Sequence, residues 1–392
     1  MKSLVKMVLC ILLAGLLTSC FDSGDTAVRR SRRAEKKQGD ILIGAVAPWQ
    51  KVAEHGHLDW NGIELAVKQV NAGGGIDGRK VRIVKKDDQA SVNTGINIAQ
   101  EFADDLDITA VIGHAYSFIT MPASVIYEFN GVTMISPTAS TPALTQRNFK
   151  YIFRVIPDDN DMGMQIAKYA HQAGYRKIVI YYIKHGYGLS LANAFEQKAE
   201  ELGIQILDRL SYDSITKANV FYDVFSDWKE NYSFDAVFLA ARNPMQGAKI
   251  MIQARKAGVT VPFISGDALN SRKLIDAGGK AVEGTLVPSY YNPYSREPQV
   301  RKFIQEFEKE YHTPPDTWAA LYYDAASVLL HAMATAGTAD PVKVSETLHR
   351  IRDFPGITGT INFTEHGDVT GKKLYIKIVK DGRFQYVEKR MD

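Results

Sequence analysis

The chain has 392 residues, 45% of them hydrophobic, and a formal net charge of +3. That length exceeds what one compact core needs and splits into two lobes. Only two cysteines occur, Cys10 and Cys20. Both fall in the first twenty residues, so the remainder uses no disulfide, no zinc–thiolate site and no cysteine nucleophile.

The N-terminus carries a sorting signal. Lys2 and Lys6 form a short basic start, and an apolar run from Leu4 to Leu17 follows. The run is too short to span a bilayer, which takes about twenty apolar residues, and reads as a secretory signal. It ends in Leu17-Thr18-Ser19-Cys20. That order resembles the bacterial lipobox, which implies a signal peptide over 1–19, cleavage before Cys20 and a lipid on its thiol. Residues 20–40 then read as the lipidated cysteine and a flexible basic tether. Six cations (Arg29, Arg30, Arg32, Arg33, Lys36, Lys37) stand there against four acids, with almost no large apolar residues to offset ordering. The run suits anionic headgroups. The positive charge is concentrated in these two segments, which leaves the body near neutral and argues against a nucleic-acid partner.

From Ile41 the pattern is α/β. Ile41–Ala47 is a buried parallel strand, Trp60–Val70 a helix stopped by Gly73-Gly74-Gly75, and Val81–Val84 a strand. Thr94–Ala103 is a helix, Ala110–Gly113 a strand, Met121–Phe129 a helix with Pro122 in its first turn, and Val132–Ile135 a strand. After Arg154 the alternation repeats. Strands are expected at Lys177–Tyr182, Ile204–Leu207, Ala236–Ala240, Phe263-Ile264, Gly359–Phe363 and Lys373–Val379. Helices are expected at Asp161–Ala173, Leu189–Leu202, Pro244–Ala257, Gln299–Tyr311 and Thr317–Ala336. Such alternation predicts an α/β fold of two doubly wound parallel-sheet lobes.

In doubly wound sheets ligands bind beyond the carboxyl ends of the strands. Four loops fall there. Gly113–Thr120 and Ser136–Pro142 offer small hydroxyls and helix-start N–H groups suited to a carboxylate, although each hydroxyl taken singly is equally a cap or turn former. Lys184–Gly188 brings Tyr187, a hydroxyl donor or a π face for a cation. Ser265–Ala268 brings Asp267, either a partner for an ammonium or a helix cap. Arg242, at a further strand end, is either a cleft cation or a surface one.

These loops carry a family resemblance. Residues 41–390 resemble the leucine/isoleucine/valine-binding protein family of ABC importers. The resemblance rests on Asn61–Ala66, Asn71–Arg79, Asp87-Asp88, Val111–His114, Pro122–Ser124, Met134–Pro137, Leu144-Thr145, Phe153-Arg154, Tyr187-Gly188 and Glu283-Gly284, in that order and spacing. It implies a type I periplasmic binding protein whose lobes are joined by a three-strand hinge. Lobe 1 would comprise 41–158 plus 290–370, and lobe 2 159–289 plus 371–390, with crossings near 156–160, 286–292 and 366–374. It places the ligand α-carboxylate on Ser117, Ala139 and Ser140, the ammonium on Asp267 and Tyr187, and adds Ala115 and Trp49 to the ligand-binding set, with His55, His57 and Trp60 close by. Arg242 stands where amino-acid-binding members often have an aromatic residue. Facing inward, it would read a second carboxylate or neutralise Asp267.

The implied function is capture of a small ligand, an amino acid of branched-chain type or a related carboxylate, for an ABC permease. The protein would be a monomer held at the membrane by its N-terminal lipid, with no cofactor and no metal. A ligand sensor for a chemoreceptor or sensor kinase would use the same cleft. An enzyme is the third reading, but the chain has no Gly-x-Ser-x-Gly elbow and no P-loop, and Gly73–Gly75 follows a helix rather than a strand. His55 and His57 lack a third metal ligand and read as a solvated loop.

Overall fold

A computed structural model describes residues 23–387; the signal segment and Cys20 lie outside the described residues. Strands β1 (Ile41–Ala47), β2 (Val81–Asp87), β3 (Ile108–Gly113), β4 (Thr133–Ser136) and β5 (Ile152–Arg154) form one sheet in the order β2-β1-β3-β4-β5. All its pairings are parallel. Strands β6 (Lys177–Ile183), β7 (Gln205–Tyr212), β8 (Ala236–Ala240), β9 (Phe263–Ser265) and β10 (Leu286–Ser289) repeat that order as β7-β6-β8-β9-β10. β13 (Tyr375–Lys380) and β14 (Arg383–Tyr386) extend the second sheet antiparallel. The repetition read from the sequence is therefore a repetition of strand order. Each sheet reverses direction between its first strand and the third (β1/β3, β6/β8), which is where a cleft opens in such folds.

Burial explains why these segments are strands. β3 is buried along its whole length, and so is β8. Helices cover both faces, and each fully buried Val or Ile there contributes about 1.5–3 kcal/mol. The first lobe packs Ile43, Ile63, Ile112 and Leu329 on one face and Val111, Phe102 and Tyr127 on the other. The long helix Thr317–Ala336 lies against helix Asp59–Ala72 so closely that a Cβ on Gly62 would sit 2.1 Å from the Ala319 carbonyl oxygen. The chain leaves the first sheet after β5, returns to the first lobe after β10, and crosses again before β13.

Three sequence expectations change. Residues 21–40 are not a loose tether where described: Ser23–Lys36 is a helix, α1, docked on the first lobe. Arg30 is fully buried and donates to the carbonyls of Asp105 (2.7 Å), Ile108 (2.5 Å), Asn130 (3.2 Å) and Ala103. Three of those carbonyls, on Ala103, Asp105 and Asn130, close helices Val92–Asp104 and Ser117–Phe129, whose last groups lack partners of their own and carry negative partial charge. Polar contacts led by this arginine thus supply the docking that hydropathy did not show. Second, helix Ser117–Phe129 begins four residues earlier than expected, which puts Pro122 inside it rather than in its first turn. Third, Gly359–Phe363 does not join a main sheet: β12 (Gly359–Ile361) pairs only with β11 (Phe354–Gly356).

Candidate functional site

The carboxyl ends of both sheets face one cavity of about 840 Å³, measured to its open mouth. The loops after β1, β3 and β4 bring Val52, His55, Ala115, Ser117 and Ser140, and those after β6, β8 and β9 bring Tyr187, Arg242 and Asp267. Six expected site residues are thereby brought together. Two are not. Trp49 lies in the first-lobe core, its Nε1–H donating to the Lys86 carbonyl (2.8 Å) and its ring edge-on to Trp60. Ala139 is also buried in that core, its N–H directed to Ser136 Oγ (3.1 Å).

The first-lobe wall around Ser117 and Ser140 is braced by the protein's own hydrogen bonds. Ser117 opens helix Ser117–Phe129, so its N–H and that of Phe118 have no carbonyl one turn back and are free for an anion. Ser117 Oγ accepts from the Thr141 N–H (3.3 Å), and Thr138 Oγ1 donates to the Ala115 carbonyl (2.9 Å). Behind the loop, buried His114 joins Asp88 (2.9 Å) and Tyr127 (3.2 Å). Arg154 ties the next loop down, donating to the Thr141 carbonyl (2.7 Å) and pairing with Asp368 (2.6 Å).

The second-lobe wall holds charge. Asp267 is buried, and burial raises its pKa to about 6; the Tyr187 hydroxyl, donating at 2.9 Å, opposes the rise. Tyr187 passes so close to Gly266 that a Cβ there would lie 2.2 Å from its oxygen. A second carboxyl stands nearby. Asp159 donates its N–H to the Ser140 carbonyl (2.8 Å) and accepts from Ser190 Oγ. Burial pushes its pKa up to about 7, with Ser190 opposing and the charge of Asp267 adding to the rise. Among the described residues, Asp159 Oδ1 and the nearby Tyr290 hydroxyl have no hydrogen-bond partner. Neither Asp159 nor Asp267 forms an ion pair within 4.0 Å among the described residues.

Asp159 escaped the sequence reading. It lies in the run Asp158-Asp159-Asn160-Asp161, where Asp158 does cap a helix, accepting from the Asp161 N–H (2.8 Å). The whole run therefore passes for capping, and the contact with Ser140 appears only in the fold. His57 was misread as solvated. It is buried, stacked on Trp318 (centroids 4.7 Å apart), and burial lowers its pKa to about 3. Its neighbour Asp59 is buried too, its pKa raised well above the usual range by burial and by Asp316. Arg242 faces the cavity as expected, 5.6 Å from the Phe118 ring centroid on the opposite wall, and pairs with no carboxylate among the described residues. Among those residues no cluster suited to a metal occurs.

Two doubly wound lobes with polar walls facing one cavity define a two-lobed binding protein. Residues 48–383 match the family described as periplasmic binding protein, and the chain belongs to that family, within its leucine/isoleucine/valine-binding branch. It is a substrate-binding protein and not an enzyme. It is 29% identical over 358 residues to a Leu/Ile/Val-binding protein homolog of Brucella abortus, covering 89% of this chain and 94% of the relative. It is 29% identical to the Leu/Ile/Val-binding protein of Escherichia coli K12, covering 85% and 89%. Among solved structures it resembles an ABC transporter substrate-binding protein of Desulfitobacterium hafniense in complex with Leu, with 36% identity, TM-score 0.79 and coverage of 89% and 100%. A leucine-binding protein of Thermotoga maritima gives 29% identity, TM-score 0.81 and coverage of 88% and 97%. The family is extracytoplasmic, and no described helix is long and apolar enough to cross a membrane.

Proposed function

We propose that the cleft binds an α-amino acid and that the protein hands it to an ABC permease while anchored at the membrane through Cys20. The observation that carries the reading is Asp267, a buried carboxyl lining the cavity with no ion pair among the described residues, with the buried carboxyl of Asp159 close by. Burying unpaired charge costs several kcal/mol per ion, of order, and a ligand ammonium offsets that cost. The ligand carboxylate then meets the free N–H groups at Ser117 and Phe118 and the hydroxyls of Ser117 and Ser140. Its side chain lies among Val52, Tyr116, Phe118 and Trp318, an apolar and aromatic set suited to the branched-chain amino acids named for the relatives. Because the ligand touches both walls only when they approach, it favours the closed form by its differential affinity.

Arg242 supports a second ligand class, an amino acid with a second acidic group, which it would bind as an unpaired cation. A thermal-shift panel on refolded, ligand-stripped protein separates the two. A ligand at a hundred times its dissociation constant adds about 2.7 kcal/mol. A shift with leucine, isoleucine or valine that survives Arg242→Ala supports the branched-chain reading. A shift confined to diacids and lost in Arg242→Ala makes Arg242 the specificity residue. No shift with any amino acid overturns both.

A further inference from the structure

Helix α1 has two unlike faces. Arg30 and Ala34 are buried against the first lobe, while Arg29, Arg32, Arg33 and Lys36 are exposed on the opposite side. Their spacing of three, one and three residues makes a single stripe at helical period. Arg33 is held by Asp107 (2.7 Å); Arg29, Arg32 and Lys36 pair with no carboxylate among the described residues.

A solvated cationic stripe is ordinary on a helix. This one is fixed in place and set at a particular pole. Arg30 grips Ile108, where β3 begins, and Asn130, just before β4. Ser31 donates to Asp340 (2.9 Å) beside the start of helix Pro341–Arg350. The cavity residues Ala115–Phe118 follow the other end of β3. The stripe therefore sits at the pole of the first lobe away from the cleft. Cys20 precedes Ser23 by three residues, a reach of about 11 Å at most. A Debye length is about 8–10 Å at moderate salt.

We propose that this face is a docking surface for an anionic lipid bilayer. It would seat the first lobe on the membrane with the cleft mouth turned away from it. This rests on the membrane attachment proposed above. The basic segment is then a rigid foot, because α1 is clamped to the body through Arg30.

The test uses the full chain, attached by its own N-terminus to vesicles of phosphatidylcholine alone or mixed with phosphatidylglycerol. An amine-reactive acetylating reagent followed by mass spectrometry reads exposure of Lys36, with Lys184, beside the cleft, as internal control. Each cation near an anionic surface is worth about fivefold in attachment. Lys36 labelling should fall about fivefold on the mixed vesicles, recover in 1 M salt, where the Debye length is about 3 Å, and not fall in the double variant Arg29→Glu/Arg32→Glu. Lys184 labelling should not change. Vesicle-bound protein with Lys36 equally labelled on both lipids overturns the docking face and leaves the anchor standing. Protein that does not float with either vesicle overturns the anchor and the docking face together.

Discussion

The two walls of the cleft are built on the same strand order and solve different problems. The first-lobe wall presents neutral groups that the protein itself already engages: Ser117 Oγ accepts from Thr141, and Thr138 donates to Ala115. The second-lobe wall presents Asp267, buried and shifted to about 6; next to it Asp159, a second buried carboxyl shifted to about 7, meets the Ser140 carbonyl through its N–H. The hydroxyls named on the first wall are engaged within the protein, whereas the Asp267 carboxylate on the second has no ion-pair partner among the described residues. On the proposed reading, the ionic half of recognition is stored as a local loss of stability around Asp267, which a ligand ammonium would relieve.

The sharpest way to break that comparison is Asp267→Asn. Truncating a buried, hydrogen-bonded charge pair costs about 2–5 kcal/mol, so calorimetry should show affinity for the bound amino acid falling roughly a hundredfold. The empty protein should melt higher than the parent, because an unpaired buried carboxylate is gone. A variant that loses affinity and melts lower would mean that Asp267 is structural.

Titration sharpens the contrast next. Both carboxyls have folded pKa values above the ordinary 3.8. The folded state therefore holds protons that the unfolded chain releases, and these groups favour folding in acid and lose that contribution as pH rises through about 6 to 7. Ligand binding runs the other way, since an ammonium needs the ionised carboxylates. Affinity should fall by about tenfold or more from pH 7.5 to pH 5, and Asp267→Asn should flatten the profile. An affinity flat over that range would remove the carboxylates from the ligand's contacts.

Smaller effects follow on each wall. Tyr187→Phe removes the donor that steadies ionised Asp267, and a hydrogen bond to a charged group is worth about 1.5–3 kcal/mol. Affinity should drop about tenfold or slightly more, with the pH profile moved to higher pH. Ser117→Ala removes one neutral hydroxyl on the braced wall. Its cost should be about 0.5–1.5 kcal/mol, a few-fold in affinity, with no change in the profile. If Ser117→Ala cost more than Tyr187→Phe, the assignment of the walls would be reversed.

Much of this was legible before the fold. Strands such as Ile41–Ala47 and Ala236–Ala240 announce themselves as short apolar runs, and their carboxyl ends locate the loops that carry Ser117, Ser140, Tyr187, Arg242 and Asp267. Side-chain direction was not legible. Trp49 opens the helix Trp49–Glu54 that follows β1 toward the cleft, yet its indole turns back to Lys86. Asp159 hides in a capping run, and His57 hides in a polar loop that Trp318, over 250 residues away, buries. Helix α1 was invisible because its docking rests on polar matches with partners distant in sequence, Arg30 to the carbonyls of Asp105 and Asn130 among them.

The most direct test of the central claim is isothermal calorimetry on refolded protein, comparing the best-bound amino acid with its des-amino carboxylic acid. Dependence on the ammonium, seen as at least roughly a hundredfold weaker binding of the des-amino acid, is the predicted result. Equal affinity for the two would show that Asp267 and Asp159 do not receive the ligand's cation.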